Sequence, residues 1–305
     1  MRPGKIVLLS ACLILCFVAV VQIASSYIDP VKVVTVKEEI DELIVNRPEG
    51  ELVIRKNGES WTVNEKEYSG NDNACKDLVD SFSEIRILEK VTKSKLPEIL
   101  AKYELDADKV RVVTVYNKGN LLKTFKVGKT SSTNSQVYMQ IDGSDDIYLV
   151  AGTLQNEVSK SENEFRSKAV VNISKDDIYS ITVSEEGKPS WTLTRGNEGN
   201  IWNVSGESVT EEIDIDAEKA YNWFQSSSSV ACVEWLPDDA AMPGKNLLTV
   251  KYMLNDRNIS LTFTQDMDSE GTEVFYGSSS ETPYLFRLAK YSVQKFQKNP
   301  EDFSK

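Results

Sequence analysis

Apolar positions follow two contrasting patterns along this chain. The first is an unbroken block. Ile6 to Ala24 holds nineteen positions without a charge, and only Ser10 and Gln22 among them are clearly polar. A helix needs about 20 mostly apolar residues to cross the hydrocarbon core of a bilayer, so the block predicts a transmembrane helix. Arg2 and Lys5 precede it, and the first acid of the chain, Asp29, follows it. Basic flanks stay on the cytoplasmic side, which puts the remaining body outside the cytoplasm. Two other readings of the block also export the body. One is a signal peptide cleaved in Gln22-Ile23-Ala24-Ser25-Ser26. It is disfavoured because cleaved signals carry apolar regions of about 7–15 residues. The other is a lipoprotein signal at Leu9-Ser10-Ala11-Cys12, disfavoured because apolar sequence continues well past Cys12.

The second pattern is a series of short runs separated by turn residues. Leu52 to Lys56, then Asn57-Gly58, then Trp61-Thr62-Val63 predicts a hairpin. Ala74, Leu78, Phe82 and Ile85 recur at helical spacing, with Asn71 or Asp72 as the cap. Val110 to Tyr116 and Leu121 to Val127 flank Asn117-Lys118-Gly119-Asn120 and predict two strands. Val137 to Ile141 and Ile147 to Val150 predict two more, and Gly152 to Val158 a closing helix. A similar series comes again. Ala217, Tyr221 and Phe224 mark a helix capped by Asp214 or Asp216. Leu248 to Leu254 and Ile259 to Thr264 are strands around Asn255-Asp256-Arg257-Asn258, and Leu285 to Phe296 is a closing helix.

The second series matches the first residue by residue in places. Glu59-Ser60-Trp61-Thr62-Val63 returns as Asn200-Ile201-Trp202-Asn203-Val204, and Asn120 to Phe125 as Asn258 to Phe263. Val137-Tyr138 returns as Val274-Phe275, and Tyr148-Leu149-Val150 as Tyr284-Leu285-Phe286. The offset drifts from 141 through 138 and 137 to 136, as small loop deletions produce. A period this long exceeds any solenoid unit. The expectation is an α+β fold: an N-terminal transmembrane helix, then two tandem, internally duplicated units of mainly antiparallel sheet with packed helices. Residues 1–28 form the cytoplasmic stub and signal-anchor, 29–158 the first repeat, 159–168 a polar linker, and 169–305 the second repeat.

Charge narrows the partners. The chain carries 35 basic and 47 acidic residues, a net of −12. Such a surface repels phosphate backbones, so nucleic acid is excluded as a partner. Histidine is absent, which removes the commonest general base and zinc ligand. Cys12 and Cys16 lie in the apolar block. Cys75 and Cys232 show no metal-ligand spacing and read as buried thiols, with a single disulfide as the alternative.

Candidate chemistry gives way to structural readings. Asp266-Met267-Asp268-Ser269-Glu270-Gly271 spaces oxygens as a calcium loop does, but Gly277 stands where the closing Glu belongs. An acidic turn fits better. The acids from Glu211 to Asp216 precede a helix, where its dipole favours them. Trp191, Trp202, Trp223 and Trp235 could form a sugar-stacking row, yet strand and helix positions suit a core. Ser226 to Ser229 and Ser278 to Ser280 read as loops. No nucleophile elbow and no phosphate-cradling G-x-x-x-x-G-K-[ST] occurs, so any ATPase would be another polypeptide. No catalytic residue, metal ligand or cofactor is assigned, and any small-molecule ligand stays unidentified.

Several short motifs do recur in a recognisable order. They are the Gly-then-Trp hairpin, Tyr103-Glu104-Leu105-Asp106, Val127-Gly128-Lys129, Val137-Tyr138 and Phe165-Arg166-Ser167-Lys168. This set resembles the domain of unknown function 4340 family, whose usual forms are Tyr-Gly-Leu-Asp, Leu-Gly and Phe-Arg-Asp-Lys. Glu104 replaces the usual glycine and Ser167 the usual acid. The resemblance implies a membrane-anchored extracytoplasmic protein, of a kind often associated with ABC-type export systems related to gliding-motility transporters. It implies no catalytic residues. The expected function is therefore a non-enzymatic, membrane-anchored accessory or scaffolding subunit of an ABC-type transport complex, with membrane transport proteins as partners. A module binding cell-wall polymer or a solute at the cell surface is the alternative.

Overall fold

The structure is a computed structural model that describes residues 14–20, 32–196 and 201–305. Most of the apolar block, with Cys12 and the proposed cleavage site, lies outside the described residues, as does Asn200 of the repeat. Residues 14–20 are helical, and Ile14, Leu15, Phe17, Val18 and Val20 are exposed along them. No helix among the described residues is long and apolar enough to cross a membrane. The chain divides into two compact units, Met1–Arg166 and Ser167–Lys305. Both are mostly antiparallel sheet with a few helices. The division falls within 159–168, but this segment is not an open linker: Glu162–Phe165 is a helical turn and Phe165 is fully buried.

The first unit holds strands β1 (Lys32–Thr35), β2 (Glu42–Arg47), β3 (Gly50–Asn57), β4 (Ser60–Val63), β5 (Tyr68–Ser69), β6 (Glu84–Lys93), β7 (Arg111–Asn117), β8 (Asn120–Thr130), β9 (Gln136–Ile141) and β10 (Asp146–Ala151). They form one ten-stranded sheet in the order β1-β6-β10-β9-β8-β7-β2-β3-β4-β5. Alternation drives it. Leu43 and Val45, Val113 and Val115, Phe125 and Val127 all point to one buried face, as period-two side chains must. The β7–β8 turn needs positive φ at both central residues, and Lys118 (48°) and Gly119 (78°) supply it.

Helix Asp72–Ser83 covers that face with Cys75, Leu78, Val79 and Phe82, a stripe of helical period. Phe82 meets Phe125 at 5.3 Å between ring centroids. Asn71 caps the helix, accepting from the Ala74 N–H at 3.2 Å. Asp72 instead accepts from the Trp61 N–H at 3.1 Å and ties the helix to β4. The helix stops at Ser83, so Ile85 belongs to β6 rather than to the helix. Strand β6 has no counterpart in the sequence reading, because Ile85, which opens its Ile85/Ile87 alternation, also fits the helical spacing of Leu78 and Phe82.

The second unit pairs β11 (Ala169–Asn172) with β15 (Ser229–Ala231). It also holds β12 (Ile178–Glu185), β13 (Trp191–Arg195), β14 (Trp202–Gly206), β16 (Glu234–Trp235), β17 (Lys245–Leu254), β18 (Asn258–Met267), β19 (Glu273–Ser279) and β20 (Thr282–Leu288). These eight form a sheet in the order β14-β13-β12-β17-β18-β19-β20-β16. Residues 285–288 are thus strand, and the closing helix is the short Lys290–Gln294. Helix Ala217–Ser227 packs Ala220, Trp223 and Phe224 into the core and is capped by Asp216, which accepts from the Glu218 and Lys219 N–H groups. The C-terminal segment closes this core. Phe303 is 2% exposed, with its ring centroid 5.2 Å from that of Trp223, and Asp216 donates its N–H to the Phe303 carbonyl.

Candidate functional site

The motif residues converge on two contacts inside the first unit. At the first, helix Pro97–Lys102 ends in a Schellman turn. Leu105 N–H bonds the Leu100 carbonyl and Glu104 N–H the Ala101 carbonyl, the paired closure such a turn requires. Glu104 sits at the left-handed position with φ 55°, where a glycine avoids the Cβ clash. Leu105 follows into the core at 3% exposure. Gly128 lies on a bulge of β8, where the three steps from Val127 to Thr130 face the two steps from Met139 to Val137 on β9. A Cβ at Gly128 would stand 2.2 Å from the Tyr103 carbonyl oxygen. That carbonyl accepts from the Lys129 N–H, and the Tyr103 ring packs on Tyr138 at 4.7 Å. Three motifs far apart in sequence therefore form one joint.

At the second contact, Phe165 fills the core and its carbonyl accepts from the Asn71 N–H at 2.7 Å. Arg166 is buried. Its guanidinium carbon lies 3.6 Å from the Tyr68 ring centroid and it pairs with Glu162 at 3.4 Å. Cation–π contact and a carboxylate let this charge stay inside. Arg47 serves the same corner, donating to the Val158 and Lys160 carbonyls at the end of helix Leu154–Ser159. Burial pulls its guanidinium below the ordinary value, and Glu49 opposes that shift.

Elsewhere the sequence candidates turn out to support structure. Asp268 accepts from the Glu270 and Thr272 N–H groups, which makes 266–271 a capped hairpin turn between β18 and β19. Among the described residues no group of three or more His, Cys, Asp or Glu could hold a metal. Trp191, Trp223 and Trp235 are buried, and Trp202 packs edge-on against Phe224 at 4.7 Å. They make no exposed row. The serine runs are not loops: Ser226 and Ser227 end a helix, Ser229 opens β15, and Ser278 and Ser279 lie in β19. Cys75 and Cys232 are buried, one in each unit. Burial, with Asp72 adding to it, pushes the Cys75 thiol up to about 12, so it is a poor nucleophile.

Two features were missed by the sequence reading. Lys295 donates to the Ser226 and Ser229 carbonyls, and burial pulls its amine down to about 8. A cavity of about 360 Å³ opens on the outer face of the second sheet, lined by Ser180, Thr182, Lys251, Met253, Asn258 and Ser260 among others. Its signal was present in the alternation of Ser and Thr with apolar residues along β12 and β18.

Two units of antiparallel sheet, with motif residues that lock turns and corners, define an α+β protein whose family landmarks are architectural. The chain belongs to the family described as Domain of unknown function (DUF4340), whose model matches residues 61–249. That match begins on β4 in the first unit and ends on β17 in the second. No curated protein and no solved structure matches the chain.

Proposed function

We propose that this chain is a non-enzymatic accessory or scaffolding subunit of an ABC-type membrane transport complex. In this reading the apolar block from Ile6 to Ala24 anchors it, and its two units stand outside the cytoplasm. One observation carries the reading. The residues by which the chain resembles its family are occupied in folding: a Schellman turn, a close backbone approach, a core phenylalanine and a stacked arginine. Such residues preserve a shape, and a shape serves binding. Tethering would supply the mechanism, since confinement at the membrane raises the effective concentration for partners there.

The body is, in the same proposal, a tandem duplication. The strand orders support it: β6-β10-β9-β8-β7-β2-β3-β4 in one unit has the same rank order as β16-β20-β19-β18-β17-β12-β13-β14 in the other. Phe125 on β8 and Phe263 on β18 are both fully buried, in line with the match read between them.

Fractionation and gentle-detergent pull-down of the intact chain test the function. We expect it in the membrane fraction, with transporter subunits recovered alongside it and its body open to external protease. Recovery in the cytosol, or without any transport component, would overturn the proposal.

A further inference from the structure

The outer face of the second sheet carries a site that the scaffold reading does not use. Register fixes its layout. Lys251 on β17 stands between Thr182 on β12 and Ser260 on β18, and Met253 stands between Ser180 and Asn258. Residues of the opposite parity, Ile181, Tyr252, Leu254, Ile259 and Leu261, face the core. The six outer residues therefore form a grid of three strands by two rows, about 10 Å by about 7 Å from the strand spacing and rise.

Among the described residues the side chains of Ser180, Lys251, Asn258 and Ser260 make no hydrogen bond or ion pair, while the Thr182 hydroxyl bonds that of Thr192. Among the described residues Lys251 enters no ion pair, although the chain has a net charge of −12. Some surface cations are paired, such as Lys290 with Glu273 and Arg257 with Glu281, and others among the described residues, such as Lys245, are not. No acid lines the cavity around Lys251. Ser180 is only 5% exposed, and its hydroxyl has no hydrogen-bond partner among the described residues. That hydroxyl is not among the buried atoms left without a partner, so it meets solvent and can exchange that water for a ligand group. Ser280 closes one end, its hydroxyl accepting from the Ser260 N–H at 3.0 Å.

We propose that this cavity binds a hydroxylated ring carrying one anionic group, an acidic monosaccharide unit. Each wall matches part of such a ligand. The Lys251 ammonium meets the anion. Ser180, Thr182, Asn258 and Ser260 offer donors and acceptors to ring hydroxyls. Met253, 48% exposed, and the Lys251 stem give the C–H face an apolar floor. The volume of about 360 Å³ is near the low end for small-molecule sites, so it suits one ring rather than a chain.

Titration of the full chain in detergent micelles, followed by NMR, tests this with four probes. Glucuronate and glucose 1-phosphate are the acidic sugars; glucose and inorganic phosphate are the controls. Both or either acidic sugar should bind at least about tenfold tighter than both controls, and Lys251→Gln should remove about tenfold, as loss of a charged hydrogen bond does. The tighter acidic sugar then identifies carboxylate or phosphate as the anion. Ser180→Ala should weaken the same sugar without moving the thermal midpoint downward. Absence of binding by both acidic sugars overturns the site. So does equal affinity for inorganic phosphate, or unchanged binding by a folded Lys251→Gln chain.

Discussion

At the scale of single residues, the departures from the family pattern have measurable consequences. Glu104 holds φ 55° at the residue after a helix cap, and its contact with Lys109 at 3.5 Å is exposed, so it contributes little. Left-handed backbone costs an ordinary residue about 1–2 kcal/mol, part of which glycine returns as unfolded-state entropy. Glu104→Gly should therefore stabilise the protein by about 1 kcal/mol, read as a higher urea midpoint at unchanged slope. Gly128→Ala should do the reverse. Its new Cβ would press on the Tyr103 carbonyl at 2.2 Å, and backbone has little room to yield, so a loss of about 3 kcal/mol is expected in the same assay. Both sites were legible as motifs, but their partnership was not. No periodicity links 103–105 to 128. The link comes from a bulge in β8, which the alternation of Leu122, Thr124 and Lys126 does not announce. Caps were more legible. Asn71 and Asp72 stood as equals in sequence, and only the packing against Trp61 assigns each its own donor.

At the scale of elements, Lys295 holds the end of helix Ala217–Ser227 through the Ser226 and Ser229 carbonyls. A cation there complements the helix dipole, while burial lowers its amine from 10.5 to about 8. Between these two values the unfolded chain binds the proton more tightly than the folded one. Stability from this group therefore rises as pH climbs from about 8 towards 10.5, and is lost as pH falls back through 8. Urea midpoints of the wild-type chain and Lys295→Met, measured from pH 7 to 10, should show the wild type gaining on the variant across that window. A constant difference would sink the assignment. The helix itself was legible from Ala217, Tyr221 and Phe224, although Tyr221 is exposed and Trp223 takes its place in the core. The helix expected over 285–296 starts late: 285–288 is strand and only Lys290–Gln294 is helical. Tyr284, Phe286 and Leu288 alternate with period two, but three apolar residues also fit a helical stripe, and pairing with β19 decides between them. The polar join near 161 held a readable signal: Ser161 and Glu164 make a capping box, with the Ser161 N–H 2.7 Å from the Glu164 carboxylate.

At the scale of the whole molecule, each unit closes a core of its own. The second gathers Trp191, Trp223, Phe224, Phe263, Phe296 and Phe303, and the first gathers Leu43, Val45, Leu78, Phe82, Phe125 and Phe165. The split at Arg166–Ser167 leaves Phe165 and Arg166 with the unit whose corner they lock. A fragment covering 32–166 and one covering 167–305 should then each unfold in a single cooperative transition, as domains with separate cores do. Tryptophan makes the test specific. Four of the five indoles, Trp191, Trp202, Trp223 and Trp235, lie in the second unit and only Trp61 in the first. With Trp191, Trp223 and Trp235 buried and Trp202 packed against the same core, fragment 167–305 should give a blue-shifted emission that moves red on unfolding, at the same midpoint as its far-ultraviolet circular dichroism. Cutting the second fragment back before Asn299 removes Phe303 from Trp191 and Trp223. Loss of a large core aromatic costs about 3–5 kcal/mol, so the shortened fragment should lose both signals together. A shortened fragment that kept its blue-shifted emission would show that the C-terminal segment does not complete the second core.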